Sequence, residues 1–489
     1  MRTILVNLLR LGGMQLVIAA TAIVRNKVLA LRLGPDGFGE FMQLTLIVLT
    51  ASTIAAFGLG MSLNRNVAAA RSHEERQRLL AQANSVNVLL AALLVAALAV
   101  TLLGGPGLLE LVGLSADARI VLALSILLLL VPLEAAVQHR VAFLTALLDI
   151  RGMTAGRSVA LALGTAVTVP VVWWFGLAGA AVQLTLITLT IMLFLDRRCR
   201  ALGYRPWALT FDARVLRTLA AFGGASLIAG FTLQLSDVIV RSTLIRTTDL
   251  SQNGIYQAAL SITHQVKAIV LGSVGSYAIA SLSQDTTREH VVETANQLLA
   301  VVLPVAALAL GMLGLLSGPA LYVLYSAEFY EAQRVLPWLL SADFVHVAIW
   351  VVGAPLLAMH RVGAWLVLEL VYLGTRVAAA LLLLPTAGVV GVAAGHAIAT
   401  VVHLLLTGGY YFFVFRFSVS KRNLLLFAAG TCVVVIASWV GSRVTFDLTT
   451  YAVGALGMAA LGLLYAQLMF GLAAAWRSLR GVPGGGGEK

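Results

Sequence analysis

The sequence predicts an all-α polytopic membrane protein with about fourteen transmembrane helices, arranged as two pseudo-symmetric six-helix lobes plus two C-terminal helices. Three observations support this fold class: the composition, the spacing of apolar segments and an internal repeat. Hydrophobic residues make up 60% of the 489 residues and charged residues only 11%, whereas soluble domains carry about 25% charge. This composition excludes a soluble globular protein.

Apolar segments long enough to cross a bilayer, which takes about 20 residues, recur along the whole chain. Two adjacent pairs are separated only by the glycine-containing breaks FGLAGAA (175–181) and PTAGVVGVAA (385–394). The predicted spans are 11–33, 42–62, 84–104, 119–138, 153–175, 177–196, 216–241, 254–282, 295–317, 335–358, 363–385, 388–415, 424–442 and 451–475.

The basic residues test this count of spans. Most of the 33 Lys and Arg residues fall in alternate loops, on the side that also holds both termini. An excess of Lys and Arg in short loops marks the cytoplasmic side, so both termini are predicted to be cytoplasmic. The net charge of +12 is therefore typical of topology signals, and nucleic acid is not an expected partner.

Four pairs of short motifs recur in the same order in the two halves of the chain. They predict lobes at 1–213 and 214–417, followed by two further helices and a flexible tail at 418–489. Because each lobe has an even number of spans, both insert with the same orientation, and a site is expected between them near the midplane. The pairs are Gly12-Gly13 with Gly223-Gly224, FGEF (38–41) with NGIY (253–256), QHRV (138–141) with MHRV (359–362), and Gly176 and Gly179 with Gly388 and Gly391.

Cations within apolar segments are the main functional signal. A cation at the bilayer centre costs about 2.5–3.5 kcal/mol on insertion scales and usually faces a bundle interior or a wet cavity. Arg25, Lys27, Lys267 and Arg376 lie within predicted spans and predict a cavity for an anionic substrate. Arg25 and Lys27 are about 200° apart on a helix, so only one can point squarely into a cavity. Arg25 is favoured, because Lys27 is close enough to the outer end to snorkel.

Three more charged residues are candidates for a gate or for the lobe interface: Arg65, Asp237 and Arg241. Arg65 also fits a topology signal, and Asp237 and Arg241, spaced i, i+4, could form a structural ion pair.

The membrane-embedded acids Glu134, Asp343 and Glu369 are candidates for ion coupling. Glu369 and Arg376 share a helix face, either as a buried pair or as cavity-lining groups. His346, His396 and His403 are interpreted as structural.

Catalytic signatures are absent from the sequence. It contains no HExxH, GxSxG or Walker motif, and its longest non-membrane segments hold about 20 residues, too few for a nucleotide-binding domain. The two cysteines, Cys199 and Cys432, form no disulfide or metal framework. We therefore expect a protein that is not an enzyme, with no cofactor and no bound metal, driven by gradients or by the membrane potential.

Five stretches resemble the polysaccharide flippases of the multidrug/oligosaccharidyl-lipid/polysaccharide (MOP) exporter superfamily, over most of residues 1–415. The resemblance implies a V-shaped pair of lobes that alternate access and carry a lipid-linked sugar across the inner membrane. The stretches are LRLGPDGFGEF (31–41), AAFGLGMSLNRNVAAA (55–70), LSDVIVRSTL (235–244), NGIYQAALSITHQVKAIVLGSVGSYAIASLSQ (253–284) and LYSAEFYEAQRVLPWLL (324–340).

The preferred hypothesis is an inner-membrane flippase that moves a polyprenyl-pyrophosphate-linked oligosaccharide to the outer leaflet, for O-antigen, exopolysaccharide or capsule. Its expected partners are this glycan lipid and the bilayer, with a polysaccharide polymerase and glycosyltransferases as further candidates. A lipid II flippase for peptidoglycan is one alternative. A cation-coupled multidrug antiporter is another, although it predicts acids rather than cations in the cavity. A polymerase or membrane glycosyltransferase is disfavoured by the short outer loops around 105–118 and 318–334.

Overall fold

The computed structural model describes residues 2–105, 107–284, 287–358, 361–415, 418–443 and 448–470. These residues form helices and connecting turns, with no strand among them, so the all-α prediction is confirmed. The tail from residue 471 and the Met359 and His360 of the MHRV repeat lie outside the described residues. The helices are α1 Arg2–Ala55, α2 Leu59–Ala69, α3 His73–Leu103, α4 Gly107–Leu111, α5 Ala118–Leu127, α6 Leu130–Ala146, α7 Ile150–Ala201, α8 Ala213–Thr247, α9 Leu250–Gln284, α10 Arg288–Leu315, α11 Ser317–Leu324, a 3-10 helix Ala327–Arg334, α12 Leu336–Ala358, α13 Val362–Phe415, α14 Lys421–Gly441 and α15 Leu448–Phe470.

Three helices are too long to cross a membrane once. A helix of 52 residues, the length of α7, would extend about 78 Å, more than twice the roughly 30 Å hydrocarbon core. Each of the three is broken by a glycine with positive φ: Gly34 in α1 (65°), Gly176 in α7 (53°) and Gly388 in α13 (56°). Glycine alone adopts this backbone conformation without a steric cost. The two predicted breaks at 175–181 and 385–394 are therefore turns.

The count of crossings follows from these breaks. Within the described residues, nine helices are long and apolar enough to cross a membrane, and three of these, of 50, 47 and 52 residues, carry the glycine breaks. They account for twelve crossings, and the helices α9 and α15, of 35 and 23 residues, add two. Each predicted apolar segment thus overlaps one or two described helices, as expected for a polytopic membrane protein with about fourteen spans. Residues 471–475 of the last predicted span lie outside the described residues.

The glycine turns of α7 and α13 are structurally equivalent. A Cβ on Gly179 would lie 2.2 Å from the carbonyl oxygen of Val171, and one on Gly391 would lie 2.4 Å from that of Leu383. Glycine at both positions lets the two limbs of each hairpin pack backbone to backbone. This match, at the spacing of the sequence repeat, supports two related halves; the exact boundaries 1–213, 214–417 and 418–489 stay predictions.

The helices form two bundles that meet along one interface. In the first bundle, α7 packs against α1, α5 and α6, and α3 packs against α1, α2 and α6. In the second bundle, α12 packs against α9, α10 and α13. The bundles touch where α1 and α2 contact α8 and α9, while α14 and α15 pack on the second bundle through α10 and α12. We call the end of the molecule with the turns at Gly34, Gly176, Thr248 and Gly388 the hairpin end, and the opposite end the N-terminal end.

The linker between the bundles, residues 202–212, is bonded along α3. The Gln77 side chain both donates to the carbonyl of Arg205 (3.1 Å) and accepts from its N–H (2.8 Å). Asn84 donates to the carbonyl of Pro206 (2.7 Å), and Gln82 accepts from the N–H of Asp212 (2.7 Å). The linker is therefore held by the first bundle up to the start of α8.

Arg140, in the QHRV motif of the sequence repeat, is fully buried at 1% exposure. Its guanidinium donates to the carboxylate of Asp196 (2.9 Å), the side-chain oxygen of Asn84 (2.8 Å) and the carbonyl of Pro206 (2.8 Å). One side chain thus joins α6, α3, α7 and the linker. Pairing with Asp196 offsets the cost of burying the charge.

Candidate transport site

At the hairpin end the two bundles touch backbone to backbone. A Cβ on Gly39 of α1 would lie 2.2 Å from the carbonyl oxygen of Leu250, and one on Gly254 of α9 would lie 2.1 Å from that of Pro35. The Asn253 side chain donates to the carbonyl of Gly39 at 3.0 Å. The FGEF and NGIY motifs of the sequence repeat therefore pack against each other, and no gap separates α1 from α9 there.

Aromatic rings extend this contact. Phe38 of α1 meets Tyr325 and Phe329 edge to face, with ring centroids 5.7 and 5.6 Å apart and interplanar angles of 83° and 89°. All three side chains are fully buried. We call the group of Phe38, Gly39, Gly254, Tyr325 and Phe329 the hairpin-end closure. It joins the first bundle to the second and seals the interface at this end.

Lys27, a predicted cavity cation, is bonded to the backbone beside this closure instead. Its ammonium group donates to the carbonyl of Tyr322 (2.5 Å) and to that of Tyr325, and lies 5.2 Å from the centre of the Tyr322 ring. These carbonyls end helix α11, where the helix dipole favours a cation. The prediction that Lys27 is a cavity cation is therefore wrong for this conformation, because backbone oxygens of the other bundle already bind its ammonium group.

Arg25 lies nine residues before the bend at Gly34, about 13 Å along the helix from the hairpin end, which places it near the middle of its span. Its side chain is partly exposed and donates to the neighbouring Asn26 at 3.5 Å. Asn26 in turn donates to the Tyr325 hydroxyl at 3.2 Å, so this segment of α1 faces the second bundle. No carboxylate among the described residues forms an ion pair with Arg25.

The other two predicted cavity cations are neutralised inside the second bundle. Lys267 of α9 forms an ion pair with Asp343 of α12 at 2.5 Å. Arg376 of α13 forms an ion pair with Asp237 of α8 and donates to Ser236 at 3.3 Å. A buried cation is costly without a counter-charge, and here acids on neighbouring helices supply it. Neither cation is available to an anionic substrate in this conformation.

The three predicted gate residues do not lie together in the structure. Asp237 pairs with Arg376 rather than with Arg241, so the expected i, i+4 pair within α8 is not formed. Arg241 is buried and donates to the carbonyl of Met42 at 3.4 Å, which places it at the interface between the bundles. Arg65 is exposed near the end of α2.

The three predicted coupling acids also lie in three different places. Glu134 of α6 is half-buried, with Arg157 of α7 as its charged neighbour. Asp343 of α12 forms an ion pair with Lys267. Glu369 is not paired with Arg376; it lines a small cavity of about 70 Å³ together with His346 and His403. The histidines were read as structural in the sequence, and no local signal showed that they meet.

About fourteen crossings in two bundles, closed at one end and with charged side chains at their interface, define a multi-pass membrane protein of the all-α fold predicted from the sequence. The sequence model of a family described as polysaccharide biosynthesis protein matches residues 4–279, more than half of the chain. The chain belongs to this family, the polysaccharide branch of the superfamily, so the resemblance seen in the sequence is confirmed.

Similar proteins are flippases and transporters rather than enzymes. The lipid III flippases of Escherichia coli (strain K12) and Shigella flexneri are each 24% identical over 409 residues, covering 81% of this chain and 95% of theirs. The lipid II flippase MurJ in its inward closed conformation has a TM-score of 0.72 at 13% identity, covering 96% of this chain and 99% of that one. An inward-facing multidrug resistance MATE family transporter has a TM-score of 0.66 at 16% identity, covering 83% of this chain and 94% of that one.

Proposed function

We propose that the chain is a bacterial inner-membrane flippase that moves a polyprenyl-pyrophosphate-linked oligosaccharide from the cytoplasmic to the outer leaflet, for surface polysaccharide such as O-antigen, exopolysaccharide or capsule. The family and the lipid III flippases that the chain resembles support a lipid-linked glycan as the substrate. The observation that carries the proposal is Arg25: a cation near mid-span, facing the other bundle, with no carboxylate paired to it among the described residues.

The proposed orientation places the hairpin end outside and both termini in the cytoplasm. The hairpin-end closure then seals the outer side, so the structure is an inward-facing state. The comparisons support this reading, because an inward-facing MATE family transporter has a TM-score of 0.66 and an outward-facing one 0.60. Opening to the outside must break the contacts that Lys27 and Arg241 make across the interface.

In this cycle the Arg25 guanidinium binds the pyrophosphate between the bundles while the polyprenyl tail stays in the surrounding lipid. Planar guanidinium groups suit phosphate oxygens because they donate two parallel hydrogen bonds. The inside-negative membrane potential favours outward movement of the anion by about 2.3 kcal/mol per charge per 100 mV. A doubly charged pyrophosphate therefore needs no energy source bound to the chain.

Replacement of Arg25 tests the proposal. In proteoliposomes with a labelled polyprenyl-pyrophosphate oligosaccharide, we expect Arg25→Ala to slow flipping by about 10- to 100-fold, because hydrogen bonds to charged groups contribute about 1.5–3 kcal/mol. Arg25→Lys should retain part of the activity. Arg32→Ala is the matched control: Arg32 is exposed on the same helix and donates to the carbonyl of Trp173 at 2.8 Å. Wild-type flipping by a stably folded Arg25→Ala variant would contradict the proposed site.

A lipid II flippase is the second candidate, favoured by the TM-score of 0.72 to MurJ over 96% of this chain. The same proteoliposomes loaded with labelled lipid II distinguish the two substrates. A multidrug antiporter is disfavoured because Asp237 and Asp343, two of the acids that could bind a cationic drug, are paired with Arg376 and Lys267. A polymerase and glycosyltransferases remain proposed partners, which would supply or consume the glycan lipid.

A further inference from the structure

The linker between the bundles carries an apolar face that the rest of the described chain leaves uncovered. Its three large apolar side chains Trp207, Leu209 and Phe211 are 50%, 58% and 72% exposed. The residues between them, Ala208 and Thr210, are partly buried. Alternation of this kind is typical of a segment that buries one face and presents the other, and here the presented face is apolar.

The buried side of the linker is bonded to polar side chains of α3. Ser85 accepts from the N–H of Thr210 at 2.9 Å. Asn84 donates to the carbonyl of Pro206 at 2.7 Å and to that of Ala208 at 3.2 Å. Lipid tails cannot form hydrogen bonds with such groups. The linker therefore satisfies the polar side chains of α3 and replaces them with its own apolar surface.

These bonds also fix the depth of the linker along α3. The predicted span of this helix begins at residue 84, and residues 79–87 are buried or partly buried. The next side chains are Val88 and Leu89, which are 47% and 54% exposed and face the bilayer. Leu89 lies four residues, about 6 Å, beyond Ser85 along the helix. The apolar face of the linker thus begins one helical turn from the lipid-facing surface of α3, at the N-terminal end.

An aromatic ring and a set of cations at this depth are typical of a membrane interface. Tryptophan is enriched at the level of the lipid headgroups, and Trp207 packs on Arg140, whose guanidinium carbon lies 4.8 Å from the ring centre. Five exposed arginines lie in or beside the linker, and none forms an ion pair with an acid of the described chain. They are Arg197, Arg200, Arg205, Arg214 and Arg217.

We propose that the linker is a membrane anchor for the first bundle. Trp207, Leu209 and Phe211 insert at the boundary between headgroups and acyl chains, and the exposed arginines bind anionic phospholipid headgroups. In the orientation proposed above, the partner is the acidic lipid of the cytoplasmic leaflet. Because the linker is bonded along α3, this contact holds the first bundle at a fixed depth. The anchor does not depend on which substrate the protein carries.

Spin labelling measures the depth of the linker. The full-length chain with Cys199 and Cys432 replaced by alanine is reconstituted in vesicles of phosphatidylcholine and phosphatidylglycerol, with a spin label at Leu209→Cys. Oxygen concentrates among acyl chains and a nickel chelate stays in water, so the ratio of their collision rates with the label rises with depth. An interfacial apolar face lies about 5–10 Å into the headgroup and acyl boundary, where this ratio is high.

Two positions on α3 calibrate the measurement. Leu93→Cys reports lipid, because Leu93 is a 59% exposed apolar residue within the span. Glu74→Cys reports water, because the Glu74 side chain is 76% exposed in the first turn of the helix. We expect the ratio at Leu209→Cys to be severalfold above that at Glu74→Cys and close to that at Leu93→Cys. Phe211→Cys is the second linker position if Leu209→Cys does not fold.

A ratio at both linker positions equal to that at Glu74→Cys would overturn the proposal, because the apolar face would then lie in water, open to a soluble protein. The failure would leave the flippase assignment untouched, since no transport is measured.

The role of the arginines has its own test. Basic residues near a membrane surface are attracted to anionic lipids, so the ratio at Leu209→Cys should fall in vesicles of phosphatidylcholine alone. The double substitution Arg200→Gln, Arg205→Gln should reduce this difference between the two vesicles. Equal ratios in both vesicles for the chain with its arginines intact would overturn the binding of anionic headgroups.

Discussion

Arg140→Ala is expected to destabilise the protein by about 3–5 kcal/mol, the usual cost of removing one partner from a buried ion pair. The variant leaves the carboxylate of Asp196, 1% exposed, without its counter-charge. It also leaves Asn84 and the carbonyl of Pro206 without their donor, so the linker between the bundles loses part of its attachment. The midpoint of thermal unfolding of the purified protein in detergent, followed by loss of the monodisperse chromatographic peak, measures the effect.

Arg78→Ala is the matched control for this prediction. Arg78 pairs with Glu74 at 2.7 Å, but their side chains are 65% and 76% exposed, and exposed pairs contribute about 0–1 kcal/mol. The double variant Arg140→Ala, Asp196→Ala should lose less stability than the sum of the two single variants, because neither then leaves a lone buried charge. An Arg140→Ala variant as stable as Arg78→Ala would contradict the structural role of Arg140.

Gly39→Ala is expected to open the hairpin end. The added methyl group would lie 2.2 Å from the carbonyl oxygen of Leu250 and 3.0 Å from the nitrogen of Gly254. Both are backbone atoms, which cannot rotate away, so α1 and α9 must separate. Overpacking of this kind costs about 1–3 kcal/mol, and only the closed state bears the cost. Spin labels at Ala116→Cys and Thr386→Cys, exposed on the hairpin-end turns of the two bundles, should therefore show a longer distance than in the unsubstituted background.

Gly60→Ala provides the control, because no atom lies within 4 Å of the position where its Cβ would be. It should leave the distance distribution unchanged. Gly254→Ala should reproduce the effect of Gly39→Ala, since its Cβ would lie 2.1 Å from the carbonyl oxygen of Pro35. If Gly39→Ala gave the same short distance as Gly60→Ala, the bundles would not be closed by this contact, and the inward-facing interpretation would have to be abandoned.

The crossings and the turns between them could be predicted from the sequence because the bilayer acts on each segment separately. A span must be apolar over about 20 residues and must satisfy its own backbone hydrogen bonds. Both conditions depend only on the residues of the segment itself. The turns of α7 and α13 are local in the same way, because a single glycine, Gly176 or Gly388, makes each of them. The internal repeat was visible for the same reason, and its FGEF and NGIY members turned out to pack against each other.

The partners of the buried charges were decided only by the tertiary structure. The sequence shows spacing along one helix, and so it suggested Asp237 with Arg241 and Glu369 with Arg376. The structure instead joins Lys267 to Asp343, 76 positions apart, and Arg376 to Asp237, 139 positions apart, and it bonds Lys27 to a carbonyl 295 positions away. A buried charge is stabilised by whichever opposite charge or dipole lies within a few ångströms, and that distance depends on how the helices pack. The sequence by itself determined that cations enter the membrane; the packing decided that, among the four predicted cavity cations, Arg25 is the one without an acid or carbonyl of another described helix to hold it.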